Sequence, residues 1–289
     1  MLNIFSRIKL IVILVFCCSL WQSCNIINPK EQVPTYIHID SFKFNSYLPG
    51  VTATHQITCI SVYYNNSTIG FFDLPATIPI LATGKGRLEI SPGIAIDGLN
   101  NLSSVYPFYR IDTSSFTAQP GKIIYYTPQT GFYTDAKIHL ISDFTGATGF
   151  VRESGTRDIL TVKEDSLVFG TGGTGSVQLI APGDSSIDYA IQTFAIPSGN
   201  SSYIEFDYNS SVPLYVGLQA NLGSVVSSTP FFLAGINPSL GKWKKFYLSV
   251  ADFNGQYQGT SYTFYIKTVL PDGQPYGRLL IDNIQLVTF

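Results

Sequence analysis

Charge is what this 289-residue sequence has least of. Asp, Glu, Lys and Arg make up 12% of it, about half the share usual in a globular domain. The 17 basic and 19 acidic residues nearly cancel, which argues against the clustered basic footprint that nucleic acid requires. Cysteine is also scarce: there are four, and three of them (Cys17, Cys18, Cys24) fall within the first 24 residues. Behind a cleaved leader Cys59 would stand alone, so no disulfide framework is available, and its place in an apolar run suits a small buried hydrophobe. Amphipathic helical patterns are missing after residue 24, where Glu, Lys, Arg and Ala are too thinly spread to build them. No apolar run reaches the roughly 20 residues that span a bilayer. What is present is 45% hydrophobic residues, including 18 Tyr and 20 Phe, alongside many Ser, Thr, Asn and Gly. That apolar share excludes disorder, and the mixture suits β-sheets with wet polar faces.

The N-terminus reads as an address. Arg7 and Lys9 precede an unbroken apolar run at 10–16, extended by Cys17 and Cys18. The run has the length of a secretory signal core. Leu20-Trp21-Gln22-Ser23-Cys24 then resembles a bacterial lipobox, with a small residue before a cysteine. The resemblance implies cleavage after Ser23 and acylation of Cys24, whose thiol would carry the lipid. Several acyl chains on one residue give stable retention on a membrane. Losing residues 1–23 removes Arg7 and Lys9 and no acid, leaving 15 basic against 19 acidic residues. Asn25-Ile26-Ile27-Asn28 follows in place of an acidic run, so the face of the membrane stays open.

Residues 24–35 are polar, hold two prolines and read as a tether. From Tyr36 on, short alternating runs recur every 8–12 residues between Gly, Pro, Asn and Asp, the rhythm of an all-β protein. A first domain is expected over 36–128, a linker over 129–136 and a second domain over 137–289. In the first, strand 57–64, the turn Asn65-Asn66-Ser67, Leu74-Pro75-Ala76-Thr77, a Gly turn at 83–86 and strand 87–91 resemble the Ig-like PEGA repeat. The resemblance implies a small β-sandwich with a spacer or interaction role. In the second, strands are expected at 137–144, 166–169, 176–180, 203–208, 213–220, 243–250, 260–269 and 278–288. The segments KIHLISDF, YIEFDY, WKKFYLSV and LLIDNIQLV resemble the galactose-binding-like jelly rolls that include many carbohydrate-binding modules. The whole order is similar to Bacteroidota envelope lipoproteins, which implies the cell envelope and an outer-membrane anchor.

No catalytic motif emerges. Residues 170–175 read GTGGTG but lead into alternating 176–180 rather than a helix, so they suit a turn and not a phosphate loop. His38, His55 and His139 lack metal or triad spacing. Glu205 and Asp207 share one strand face, roughly 6.5–7 Å apart by strand rise, which suits a solvated sheet face as well as a glycosidase pair. No motif calls for a cofactor. A structural Ca2+ is the one candidate ion, with Asp143 and Asp282 on strands that can be neighbours and Asp165, Asp184 and Asp188 in loops.

Strand parity carries the functional reading. Ile204, Phe206 and Tyr208, with Leu214, Val216, Leu218, Phe246, Leu248 and Val250, are expected in the core. The opposite parity presents Tyr203, Asp207, Tyr215, Gln219, Trp243 and Tyr247, with Glu205, Lys245, Tyr265 and Lys267 among them. Flat aromatics mixed with amide and charged groups are what sugar recognition uses. The same face would equally serve as a contact for an outer-membrane protein partner. The expectation is a non-enzymatic lipoprotein that binds glycan, with an assembly subunit as the second reading and a carbohydrate-active hydrolase as the third.

Overall fold

The computed structural model describes residues 8–9, 11–12, 31–45, 54–98, 103–146, 148–164, 167–170, 172–199, 201–223 and 229–289. Cys24, most of the signal and the first part of the tether lie outside the described residues, as does Asp165. Ile8, Lys9, Ile11 and Val12 are helical, and among the described residues no helix is long and apolar enough to cross a membrane.

Among the described residues ten strands build the N-terminal part. They are β1 (Thr35–Ile39), β2 (Lys43–Phe44), β3 (Cys59–Tyr64), β4 (Ser67–Asp73), β5 (Ala76–Ile80), β6 (Gly84–Ala95), β7 (Ser103–Val105), β8 (Asp112–Ala118), β9 (Ile123–Tyr125) and β10 (Gln129–Thr130). In β1 the alternation TYIHI buries Thr35, Ile37 and Ile39 and turns Tyr36 and His38 outward, so the sheet begins inside the expected tether. One sheet runs β5-β1-β9 and a second runs β4-β3-β6 with β7 and β8 both on β6. Ile37, Ile39, Ile60, Val62, Ile78 and Ile90 fill the space between them, a small sandwich. The β3–β4 hairpin turns on Asn65 and Asn66, both with positive φ, as a two-residue hairpin loop demands. The expected Gly turn is instead the start of β6, where the end of the Tyr64 side chain occupies the space a Cβ on Gly86 would need, 2.2 Å from its hydroxyl.

The expected linker is packed structure. β10 pairs with β2 in parallel, and Phe132 and Ala136 are buried.

Eleven strands and one short helix follow among the described residues. They are β11 (Lys137–Ser142), β12 (Phe150–Gly155), β13 (Leu160–Val162), β14 (Thr174–Leu179), β15 (Ser185–Ala190), β16 (Tyr203–Ser210), β17 (Leu214–Asn221), β18 (Phe231–Ile236), β19 (Lys244–Ser249), α1 (Ala251–Tyr257), β20 (Ser261–Val269) and β21 (Gly277–Thr288). A six-stranded sheet runs β13-β14-β21-β16-β19 with β11 also on β21, and a five-stranded sheet runs β12-β15-β20-β17-β18. Every pairing in both is antiparallel, the arrangement of a jelly-roll sandwich. All nine residues expected in the core by parity are in it, with Phe264 and Ile266. The expected strand at 166–169 is absent from its described residues: Leu167 N bonds the Glu164 carbonyl in a turn, and β13 pairs with β14 instead. The helix α1 corrects the expectation that none follows residue 24; it buries Phe253 and Asn254.

A third apolar cluster joins the two parts. Ile94, Tyr106, Phe108, Tyr109, Phe132 and Ala136 pack onto Tyr203, Tyr247 and Val287 of the six-stranded sheet. Tyr106 sits at its centre, with its ring 4.5 Å from Tyr109 and 5.1 Å from both Tyr203 and Tyr247. The two sandwiches therefore share an aromatic seam.

Candidate ligand-binding face

The residues expected on one binding face lie on the outer faces of two different sheets. β16 and β19 belong to the six-stranded sheet, and its outer face is the one the N-terminal sandwich covers. Tyr203 and Tyr247 are buried there, as are Glu205, Asp207 and Lys245. Lys245 Nζ lies 3.1 Å from the Glu205 carboxylate, which also accepts from Gln285 Nε2 at 3.0 Å and from the Tyr106 hydroxyl. Burial first, and then the Glu205 charge, holds the Tyr106 and Tyr247 phenols well above their ordinary range, so both stay protonated donors. The Tyr247 hydroxyl accepts from Gln56 N at 2.9 Å and meets the Tyr109 hydroxyl at 3.0 Å. Asp207 accepts from Thr54 Oγ1 and Asn283 Nδ2, each at 2.9 Å. Parity correctly turns these groups away from the jelly-roll core, but what they meet is protein. Tyr203, Asp207 and Tyr247 are thus corrected from an open face to an internal seam.

Trp243 stands at the rim of that seam. It stacks on Phe169 with ring centroids 4.5 Å apart and borders a cleft of about 310 Å³ with Thr54, His55 and Asp207.

Tyr215 and Gln219 are elsewhere, on the outer face of the five-stranded sheet. β17 buries Leu214, Val216 and Leu218 and presents Tyr215 and Gln219 on the opposite parity. The register sets Tyr215 beside Lys267 and Gly235, and Gly217 beside Tyr265, which in turn is beside Tyr189. A Cβ on Gly235 would be 3.3 Å from Tyr215 Cε1, so the Tyr215 ring lies across a strand that has no side chain to lift it. Tyr215 is 38% exposed. Tyr189 and Tyr265 approach to 5.6 Å between ring centroids. The buried Tyr265 donates its hydroxyl to Gln219 Oε1 at 2.9 Å, fixing the amide. Burial, then the charge of Glu153 and the neighbouring Tyr189, pushes the Tyr265 phenol up to about 12, so this donor persists through the physiological range. Lys267 Nζ lies 5.7 Å from the ring centroids of both Tyr215 and Phe232. Among the described residues the result is a surface on which Tyr215 is exposed and Tyr189 and Phe232 are half-buried, set among an amide, an ammonium and, at the β12 edge, Glu153. Such a surface can stack the apolar face of a ring and exchange hydrogen bonds with its hydroxyls. Sequence reasoning missed Tyr189, Phe232 and Glu153, because β15, β18 and β12 were not recognised as strands; the alternation of SSIDYA was the available signal for β15.

Among the described residues the candidate calcium ligands do not form a cluster. Asp143 Oδ1 caps its own loop, accepting from Thr145 N and Oγ1. Asp282 accepts from Asn283 N at 2.7 Å and Thr174 Oγ1 at 3.1 Å. Burial, with Asp207 and Asp143 adding repulsion, raises its carboxyl to about 7. Asp184 closes a loop through Thr156, Arg157, Ile180 and Ala181, and Asp188 accepts from Ser186 and Ile159. Among the described residues no three His, Cys, Asp or Glu side chains are grouped to hold a metal.

No family model matches the sequence, and no curated protein does. Among solved structures, the chain is similar to the CBM22-2 xylan-binding domain from Paenibacillus barcinonensis Xyn10C. There the identity is 11% and the TM-score 0.39, over 51% of this chain and 98% of that one. It is also similar to the family 11 carbohydrate-binding module of the cellulase Lic26A-Cel5E of Clostridium thermocellum. The values are 17% identity and TM-score 0.36, over 53% and 95% of the two chains. The enzymatically active domain of bacteriophage CBA120 tailspike protein 4 gives 9% identity and TM-score 0.38, over 51% of this chain and 20% of that one.

Proposed function

We propose that the protein is a non-catalytic, lipid-anchored envelope protein that binds glycan on the open face of its five-stranded sheet. The observation that carries this is the Tyr215 ring laid across Gly235 beside Lys267. The N-terminal sandwich serves as the spacer between that face and a lipid on Cys24, in the manner of PEGA-like modules. The fate of Glu205 and Asp207 supports a non-catalytic role, since both carboxylates are beneath the N-terminal sandwich and bonded to protein donors. Affinity electrophoresis of the full chain through a panel of soluble polysaccharides tests the proposal. At least one polysaccharide should retard the protein, Tyr215→Ala should weaken that affinity by about tenfold or more, and Tyr247→Phe should leave it unchanged. Retention that survives Tyr215→Ala unaltered would overturn the assignment of the face.

A second reading, an accessory subunit of an outer-membrane assembly, is favoured by β9. It is the outer strand of its sheet among the described residues, and it exposes Ile123 and Tyr125 at 57% and 75%. Stoichiometric recovery of one protein partner from gently solubilised envelopes, lost on Tyr125→Ser, would favour that reading over the first.

A further inference from the structure

We infer that the glycan taken by this face is acidic, with a sugar carboxylate seated on Lys267; this rests on the glycan reading above. Lys267 belongs to the middle strand of the sheet, between Ile187 on β15 and Tyr215 on β17. Its ammonium is at the same 5.7 Å from two ring centroids, Tyr215 and Phe232. Ring faces attract a cation without using any of its N–H donors, so the group is oriented while its hydrogen-bonding capacity stays open. Among the described residues no carboxylate forms an ion pair with it, whereas Arg87, Arg152, Arg157 and Lys245 each have one.

The surroundings sharpen the choice of ligand. Beside Lys267 stands the exposed Tyr215 ring, and beyond it Gly235 leaves the strand bare. A pyranose stacked on Tyr215 would therefore carry its ring substituents within reach of the ammonium, and a carboxylate there gains an ion pair with it, where a hydroxymethyl group could only accept a hydrogen bond. The acid on the same face, Glu153, is on β12, two strands from Lys267 in the order β12-β15-β20. Its charge disfavours a uniformly anionic chain at that edge and directs the acidic sugar to the β17–β18 side. The chain as a whole has no basic excess to attract polyanions, so the selectivity is local to one cation.

The test pairs each acidic polymer with its neutral twin. Polygalacturonate, alginate and hyaluronan, and the same polymers after reduction of their carboxylates, are titrated into the full chain by calorimetry. At least one acidic polymer should bind about tenfold or more tighter than its reduced form. Lys267→Met should abolish that difference, and Lys267→Arg should retain it. Equal affinity for acidic and reduced forms, or a difference that survives Lys267→Met, would overturn the inference. If Tyr215→Ala still removes binding of both forms, the glycan face itself stands and only its acidic preference falls. Binding of neutral polysaccharides alone would have the same meaning, and no binding by any polymer would remove both.

Discussion

Replacing Lys245 by Met is the sharpest probe of how the two sandwiches sit together. Glu205 and Lys245 are neighbours on β16 and β19, with side chains 0% and 2% exposed. Were the outer face of this sheet open to solvent, the pair would be a surface salt bridge contributing about 0–1 kcal/mol. Under the N-terminal sandwich, the substitution strands a carboxylate that Gln285 and the Tyr106 hydroxyl satisfy only in part. Breaking a buried pair from one side costs about 3–5 kcal/mol. Urea unfolding followed by circular dichroism should show that loss as a lower midpoint at similar slope. The double variant Lys245→Met with Glu205→Gln should recover much of it, because position 205 then no longer holds a buried charge without its partner. A single-variant loss below about 1 kcal/mol would refute the buried seam and reopen this face for ligand.

Two further perturbations follow from particular contacts. Asp282, raised from 3.8 to about 7 chiefly by burial, keeps its proton in the fold over a range where the unfolded chain has lost it. The stability it contributes is full below about pH 4 and is lost by about pH 7, on the order of 4 kcal/mol at most. Asp282→Asn should flatten that decline in unfolding free energies measured at pH 5 and pH 8. Gly235→Ala places a Cβ 3.3 Å from the Tyr215 ring and must tilt it. The polysaccharide affinity should drop a few-fold while the unfolding midpoint barely moves.

The jelly-roll core was legible because its long strands alternate cleanly: Ile204, Phe206 and Tyr208, or Leu214, Val216 and Leu218, point to one side without exception. Parity also separated the outward residues correctly. What it could not give is which outward face is covered. Tyr203 and Tyr215 have the same residue type and the same relation to their own core, yet one is 9% exposed beneath Tyr106 and the other 38% exposed in the open. That difference is made by Tyr106 and Tyr109, about a hundred residues earlier in the chain, and no local pattern reports it. The edge strands were harder for another reason. β12 and β13 turn most of their side chains to solvent, and FFLAGI in β18 has no alternation, so neither pattern separates strand from loop. The Gly-rich loop misled in the same way: Thr174 and Gly175 already belong to β14, and the Phe144 ring occupies the place a side chain on Gly175 would take, 2.4 Å from where a Cβ would be.

Hydroxyl-radical footprinting of the full chain, free and with a saturating polysaccharide ligand, distinguishes the five-stranded from the six-stranded sheet as the binding face. Tyr215 and Phe232 should be oxidised in the free protein and protected in the complex, while Tyr203 and Tyr247 stay unoxidised in both. Oxidation of Tyr203 and Tyr247 in the free protein, with protection by the ligand, would contradict the account and return the binding face to the six-stranded sheet.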